Sequence, residues 1–143
     1  MDKLFKTLVT MGGAVASYLY GGWSALLGVL LVFVIADYTT GVVAAGIEGK
    51  LSSSVGFRGI ARKIGIFLVV AVAHLADTAL GQNHMIRDAS IFFYLGNELL
   101  SIIENAGRIG VPVPPLITQA VEILRGKAGK GEVSDGADTR LGP

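Results

Sequence analysis

Asp37, His74, Asp77 and Glu98 are ionisable groups set inside otherwise apolar runs. Carboxylates and imidazoles can serve as general acids and bases, as metal ligands or as proton relays, but each role needs partners at a matching spacing. Those partners are missing. His74 and His84 stand ten residues apart with no HExxH arrangement, so no zinc site is expected. There is no GxxxxGK[ST] phosphate loop, and Ser52-Ser53-Ser54 has no nearby His as a base. With no Cys there is no thiolate nucleophile, thiolate metal site or disulfide. No catalytic residue, metal or cofactor is expected, and the chain does not read as an enzyme. A different kind of chemistry remains. In hydrocarbon an Asp at mid-helix costs about 2.5–3.5 kcal/mol on insertion scales, so these groups must face protein or water. They can form a hydrogen-bonded cluster that fixes packing, hold a closed state or line a water path, or relay protons.

A second set of polar side chains recurs between Arg87 and Arg108. Ser90, Tyr94, Asn97, Glu98, Ser101, Glu104, Asn105 and Arg108 follow one another at helical spacing. Ile91, Phe92, Phe93, Leu95, Leu99, Ile102 and Ile103 cover the rest of the circumference. A helix so patterned, greasy over most of its surface with one polar stripe, calls for water or a polar partner along that stripe. A surface helix of a soluble protein has the same pattern, so the remainder of the chain must decide.

Composition favours a membrane. Apolar residues make up 52% of 143 residues, charged ones only 16%, and mean hydropathy is +0.62. Soluble domains carry about 25% charge. A net charge of +1, without a basic patch interleaved with aromatics, argues against nucleic-acid binding. The length suits one domain, and no internal repeat of the kind found in many transporters is visible.

The elements that must position these residues read as an all-α membrane domain over residues 1–125. Residues 4–20 form a helix with a weakly polar stripe (Thr7, Thr10, Ser17), which either lies in the membrane interface or makes a further crossing. Gly21-Gly22 breaks the chain. Three firm crossings follow, at 23–47, 64–80 and 88–106, each near the roughly 20 residues a bilayer core requires. Residues 48–63 are expected as a basic loop, and 116–125 as a short amphipathic helix beyond Pro112, Pro114 and Pro115. Residues 126–143 read as a polar, mobile tail. Counted inward from Ile47, Lys63 and Ala106 at about 1.5 Å per residue, Asp37 lies roughly 15 Å deep, His74 roughly 16 Å and Glu98 roughly 12 Å. These three are expected to share a layer, with Asp77 as a further intramembrane polar group.

Orientation follows from Lys and Arg. Lys50, Arg58, Arg62 and Lys63 fall in the 48–63 segment and five more basic residues from Arg108 onward, whereas the turn before the last crossing carries only Arg87. The 48–63 segment and the C-terminus are therefore expected on the cytoplasmic side.

Several stretches together resemble the toxin-secretion/phage-lysis holin family, which includes clostridial toxin-release holins. They are Asp37 with Thr40-Gly41, LSSSVGFRGIARKI from Leu51 to Ile64, Asp77, and NELLSIIENAGRIGVPVP from Asn97 to Pro114. The resemblance implies a multi-pass protein of the bacterial cytoplasmic membrane. It implies a homo-oligomer of many copies, surrounded by lipid, whose holes let an endolysin or a toxin leave the cytoplasm at a timed point. Ser90, Tyr94, Asn97, Glu98, Ser101, Glu104 and Asn105 then become candidates for lining the hole, and Asp37, His74 and Asp77 candidates for gating it. Two other roles fit the same residues: an antagonist or small membrane scaffold that oligomerises without opening, and a small ion channel or transporter.

Overall fold

The computed structural model describes residues 1–119. Within them the regular structure is helical: α1 (Asp2–Tyr20), α2 (Ala25–Ile47), α3 (Ser53–Leu80) and α4 (Met85–Ile109). Residues 115–119 are also helical. Most of the amphipathic helix expected at 116–125, and all of the tail from 126, lie outside the described residues.

Local chemistry accounts for the helix ends. Ser24 and Ser52, both with extended backbones, accept from Leu27 N at 3.1 Å and Val55 N at 3.2 Å. Each satisfies an amide that the first helical turn leaves open. Gly21, Gly81 and Gly110 close α1, α3 and α4 in the left-handed region, which glycine enters without a Cβ penalty.

Ser52 also produces the main departure from the expected elements. Its cap starts α3 at Ser53, so the loop expected over 48–63 shrinks to residues 48–52. Arg58, Arg62 and Lys63 stand on the first three turns of α3 rather than in a loop. Gly56 and Gly59, within the stretch expected as a loop, lie inside the helix, where Gly59 faces the Tyr38 ring. A Cβ there would come within 3.0 Å of that ring.

α2 packs most extensively against α4; α3 packs on α4, and α1 reaches α3. The apolar core is small: Leu27, Leu30 and Val34 from α2, Ile66 and Val70 from α3, and Ile91 from α4. Tyr20 pins the end of α1 to α3, its hydroxyl donating to Phe67 O at 3.2 Å. Every residue of α1 before Tyr20 is at least partly exposed, and none of the helix is buried.

Polarity is arranged inside out. Asp37, His74, Asp77, Arg87, Glu98 and Asn105 are buried. Val32, Ile35, Ile64, Leu68, Val72, Phe92 and Phe93 are exposed. In water this would waste the hydrophobic effect; in lipid the apolar exterior is the favourable one. α2 and α3 are long and apolar enough to cross a membrane. α4 does not meet that standard, nor does α1, so two spans stand where three firm ones were expected. The reason is composition: α4 carries Arg87, Asp88, Glu98, Glu104 and Arg108.

Candidate functional site

A buried ion cluster joins α2, α3 and α4. The Lys63 ammonium donates to Asp37 Oδ2 and to Glu98 Oε2. The three side chains are 12, 10 and 6% exposed for Lys63, Asp37 and Glu98. Asp37 also accepts from Asn105, whose Nδ2 lies 3.0 Å from Oδ1, 3.2 Å from the Asp37 carbonyl and 3.1 Å from Thr40 Oγ1. Gly41, one turn on, lets α4 approach: a Cβ there would sit 3.4 Å from Asn105 Nδ2. The network then runs outward. Arg108 donates to Asn105 Oδ1 at 3.1 Å and grips Glu48 through two bonds of 2.9 and 3.0 Å. That fork holds the Glu48 carboxyl down at about 2.

One ammonium between two carboxylates pairs an ionisable group from each of the three helices. Such a cluster adds little net stability over an apolar core, yet losing one member leaves a charge buried and unpaired. It therefore acts as a latch on helix register. Among the described residues no group of three or more His, Asp or Glu could hold a metal ion.

Asp37 and Glu98 thus meet as expected, but His74 is not in their layer. Depth was counted from Lys63 as the end of the crossing, whereas α3 extends ten residues further. Lys63 itself is level with Asp37 and Glu98, and His74 lies about 16 Å along the helix at 1.5 Å per residue. There it stacks on His84, ring centroids 5.5 Å apart, beside Gly21. Both Nδ1 atoms are buried without a hydrogen-bond partner among the described residues.

Asp77, three residues on, accepts from Ile86 N at 2.9 Å and Arg87 N at 2.8 Å. The residue preceding α4, His84, offers no side-chain cap. Asp77 of α3 supplies it across the turn. Arg87 is buried beside it, donating to Tyr20 O at 2.6 Å and to Asp88 Oδ1 at 2.9 Å.

The polar stripe of α4 divides. Glu98 and Asn105 face inward and are buried. Asn97 and Glu104 are exposed, Ser101 and Tyr94 half-buried, and Ser90 is half-buried with its hydroxyl on Ile86 O at 2.8 Å. Of the basic residues, Lys50, Arg58 and Arg62 are exposed, and Lys50 lies 3.6 Å from Glu48. Lys63 alone of the four is drawn inside. Its only mark in the sequence is the IGIFLVV run that follows directly, the sign of a charge already at the edge of a span.

Known proteins resemble the chain over most of its length. The bacteriophage holin family matches residues 14–126. A protein of Halalkalibacterium halodurans is 47% identical over 135 residues, 91% of this chain and the whole of that one. A 14.9 kDa Clostridium perfringens protein encoded 3' of nagH is 38% identical over 116 residues, 80% of this chain and 88% of its own. A probable holin of Bacillus phage phi105 is 39% identical over 108 residues, 76% and 79% of the two chains. No solved structure matches. The match takes in all of α2, α3 and α4, and with them every member of the ion cluster: the chain belongs to the bacteriophage holin family.

Proposed function

We propose that many copies of this chain assemble in the cytoplasmic membrane into a hole that releases an endolysin, or a toxin, at a timed point. The observation that carries this reading is the Asp37, Lys63 and Glu98 cluster, buried beneath an exterior suited to lipid. Polar groups able to line an aqueous hole are present, and a single copy buries Glu98 and Asn105 among them. Two arrangements of similar free energy, one dry and one wet, are what a timed opening requires.

α4 crosses as a third span in this reading. Its 25 residues measure about 37 Å at 1.5 Å per residue, enough for a bilayer core. It is too polar for a helix bathed in lipid, but Arg87, Glu98 and Asn105 point into the bundle. Asn97, exposed near its middle, would face hydrocarbon in a lone copy and is best met by a neighbouring copy or water. α1, with nothing buried, is the other surface available for assembly, as an interfacial helix or a fourth crossing. In this reading that end of α3, and the C-terminus, face the cytoplasm, which the exposed Lys50, Arg58 and Arg62 support through the bias of basic residues toward that side. No catalytic step belongs to this role.

Expressing the chain alone and following a cytosolic enzyme in the medium tests the proposal. Abrupt loss of viability with enzyme release is the expected result. Ion leakage without protein release would identify a channel instead, and oligomers without either would identify a scaffold or antagonist. The pair Asn97→Leu and Ser101→Leu leaves the ion cluster intact and should abolish release while membrane insertion persists.

A further inference from the structure

A cavity of about 370 Å³ opens beside the ion cluster, between the first turns of α3 and the last turns of α2 and α4. Arg58, Arg62, Lys63 and Arg108 all line it. Two of these are already engaged: Lys63 by Asp37 and Glu98, Arg108 by Glu48 and Asn105. Arg58 and Arg62 have no ion-pair or hydrogen-bond partner among the described residues. They stand four apart on one face of α3, where two like charges repel unless an anion lies between them. Two guanidinium forks converging on one cavity suit the oxygens of a phosphate group.

A second cavity, of about 410 Å³, lies between α2 and α3 and shares Tyr38 and Lys63 with the first. It runs the other way, past Ile35 and Ile64 to Phe67 and Leu68, and its walls are almost wholly hydrocarbon. One cavity is basic and lies toward the end of α3; the other is apolar and leads toward the middle of the two apolar helices. A phospholipid has this order of parts, and basic pockets between membrane helices are known seats for anionic headgroups. We propose that Arg58 and Arg62 bind the phosphate of an anionic phospholipid whose acyl chain lies in the groove between α2 and α3. This rests on the proposed placement of both helices across the membrane. α2 and α3 share few direct contacts, so a lipid here fills a loosely packed seam of the bundle, alongside Lys63.

The test uses the full-length protein purified in detergent and native mass spectrometry of retained lipid. The probes are phosphatidylglycerol and phosphatidylcholine with the same acyl chains, and inorganic phosphate. At about 1 kcal/mol for each basic residue near a lipid surface, phosphatidylglycerol should be retained at least about ten-fold better than phosphatidylcholine. Arg58→Gln with Arg62→Gln should remove that preference, and Arg58→Lys with Arg62→Lys should keep most of it. Lys50→Gln, outside the cavity, should change nothing. Either Gln substitution alone, on an exposed side chain, should weaken retention about three-fold or more if the double variant does not fold. Leu68→Trp, which fills the groove, should lower retention of both lipids. Equal retention of the two headgroups, or undiminished preference in the Gln variants, overturns the proposal. So does full displacement by millimolar phosphate with no effect of Leu68→Trp, which would mark a seat for the free ion. Retention is read without any hole being formed, so it fails or succeeds separately from the release experiment.

Discussion

Lys63 has two partners and one charge, so its removal is the most informative single change. Lys63→Met would leave Asp37 and Glu98 buried against each other, at a cost on the order of 3–5 kcal/mol. Denaturant or thermal unfolding in detergent would measure it. Adding Asp37→Asn and Glu98→Gln to Lys63→Met should restore most of the loss, because the penalty lies in the unpaired charges rather than in missing contacts. A single variant as stable as the parent would mean that water reaches the cluster. Asp77 has a different task. Asp77→Ala would strand the Ile86 and Arg87 amides that begin α4, costing about 1–2 kcal/mol, as loss of a helix cap does. Hydrogen exchange should show the loss concentrated in the first turn of α4; uniform loosening of the whole bundle would contradict the capping role.

Between elements, two joints are set by specific side chains. At the α1–α2 joint Gly21 has φ of 72°, and a Cβ there would lie 2.6 Å from His74 Cε1 and 2.7 Å from His84 Cε1. Gly21→Ala therefore strains the backbone by about 1–2 kcal/mol and must also displace the stacked imidazoles. A melting temperature unchanged by this substitution would show that the joint is free to move. At the other end Glu48 and Arg108 tie α2 to α4. Because Arg108 holds the Glu48 carboxyl down at about 2 from its ordinary 4.5, the folded state favours the charged form. The tie is fully present above about 4.5 and is lost as pH falls toward 2. The distance across this joint, read between spin labels on a Cys pair, should be constant from neutral pH to about 5 and lengthen as pH falls toward 2, and Arg108→Gln should abolish that dependence.

Across the whole molecule the testable quantity is which surface meets water. The chain has no native Cys, so Ser53→Cys and Gln82→Cys can be probed singly. They lie at opposite ends of α3 and should label from opposite sides of the membrane, Ser53→Cys from the cytoplasm. Labelling of Ser53→Cys by an impermeant reagent from outside would reverse the orientation. Much of the architecture was legible from residue order alone. Apolar runs, Ser caps and terminal glycines are local, so the helices at 23–47 and 88–106 and the break at Gly21-Gly22 appear where periodicity puts them. The family likeness was equally visible in Asp37, Thr40-Gly41 and the Asn97 to Pro114 stretch. Ser52 was the local signal that shifted a boundary furthest, and eleven residues of helix moved with it. What only tertiary structure decided was who pairs with whom. Lys63 reads as a flanking charge until α3 is set against α2 and α4, and His74 reads as a neighbour of Asp37 until the same register sends it to His84. Hydropathy reports how each residue suits water or lipid. Pairing depends on the axial offset between helices far apart in sequence, and that offset is fixed by packing and by the burial cost of an unmatched charge.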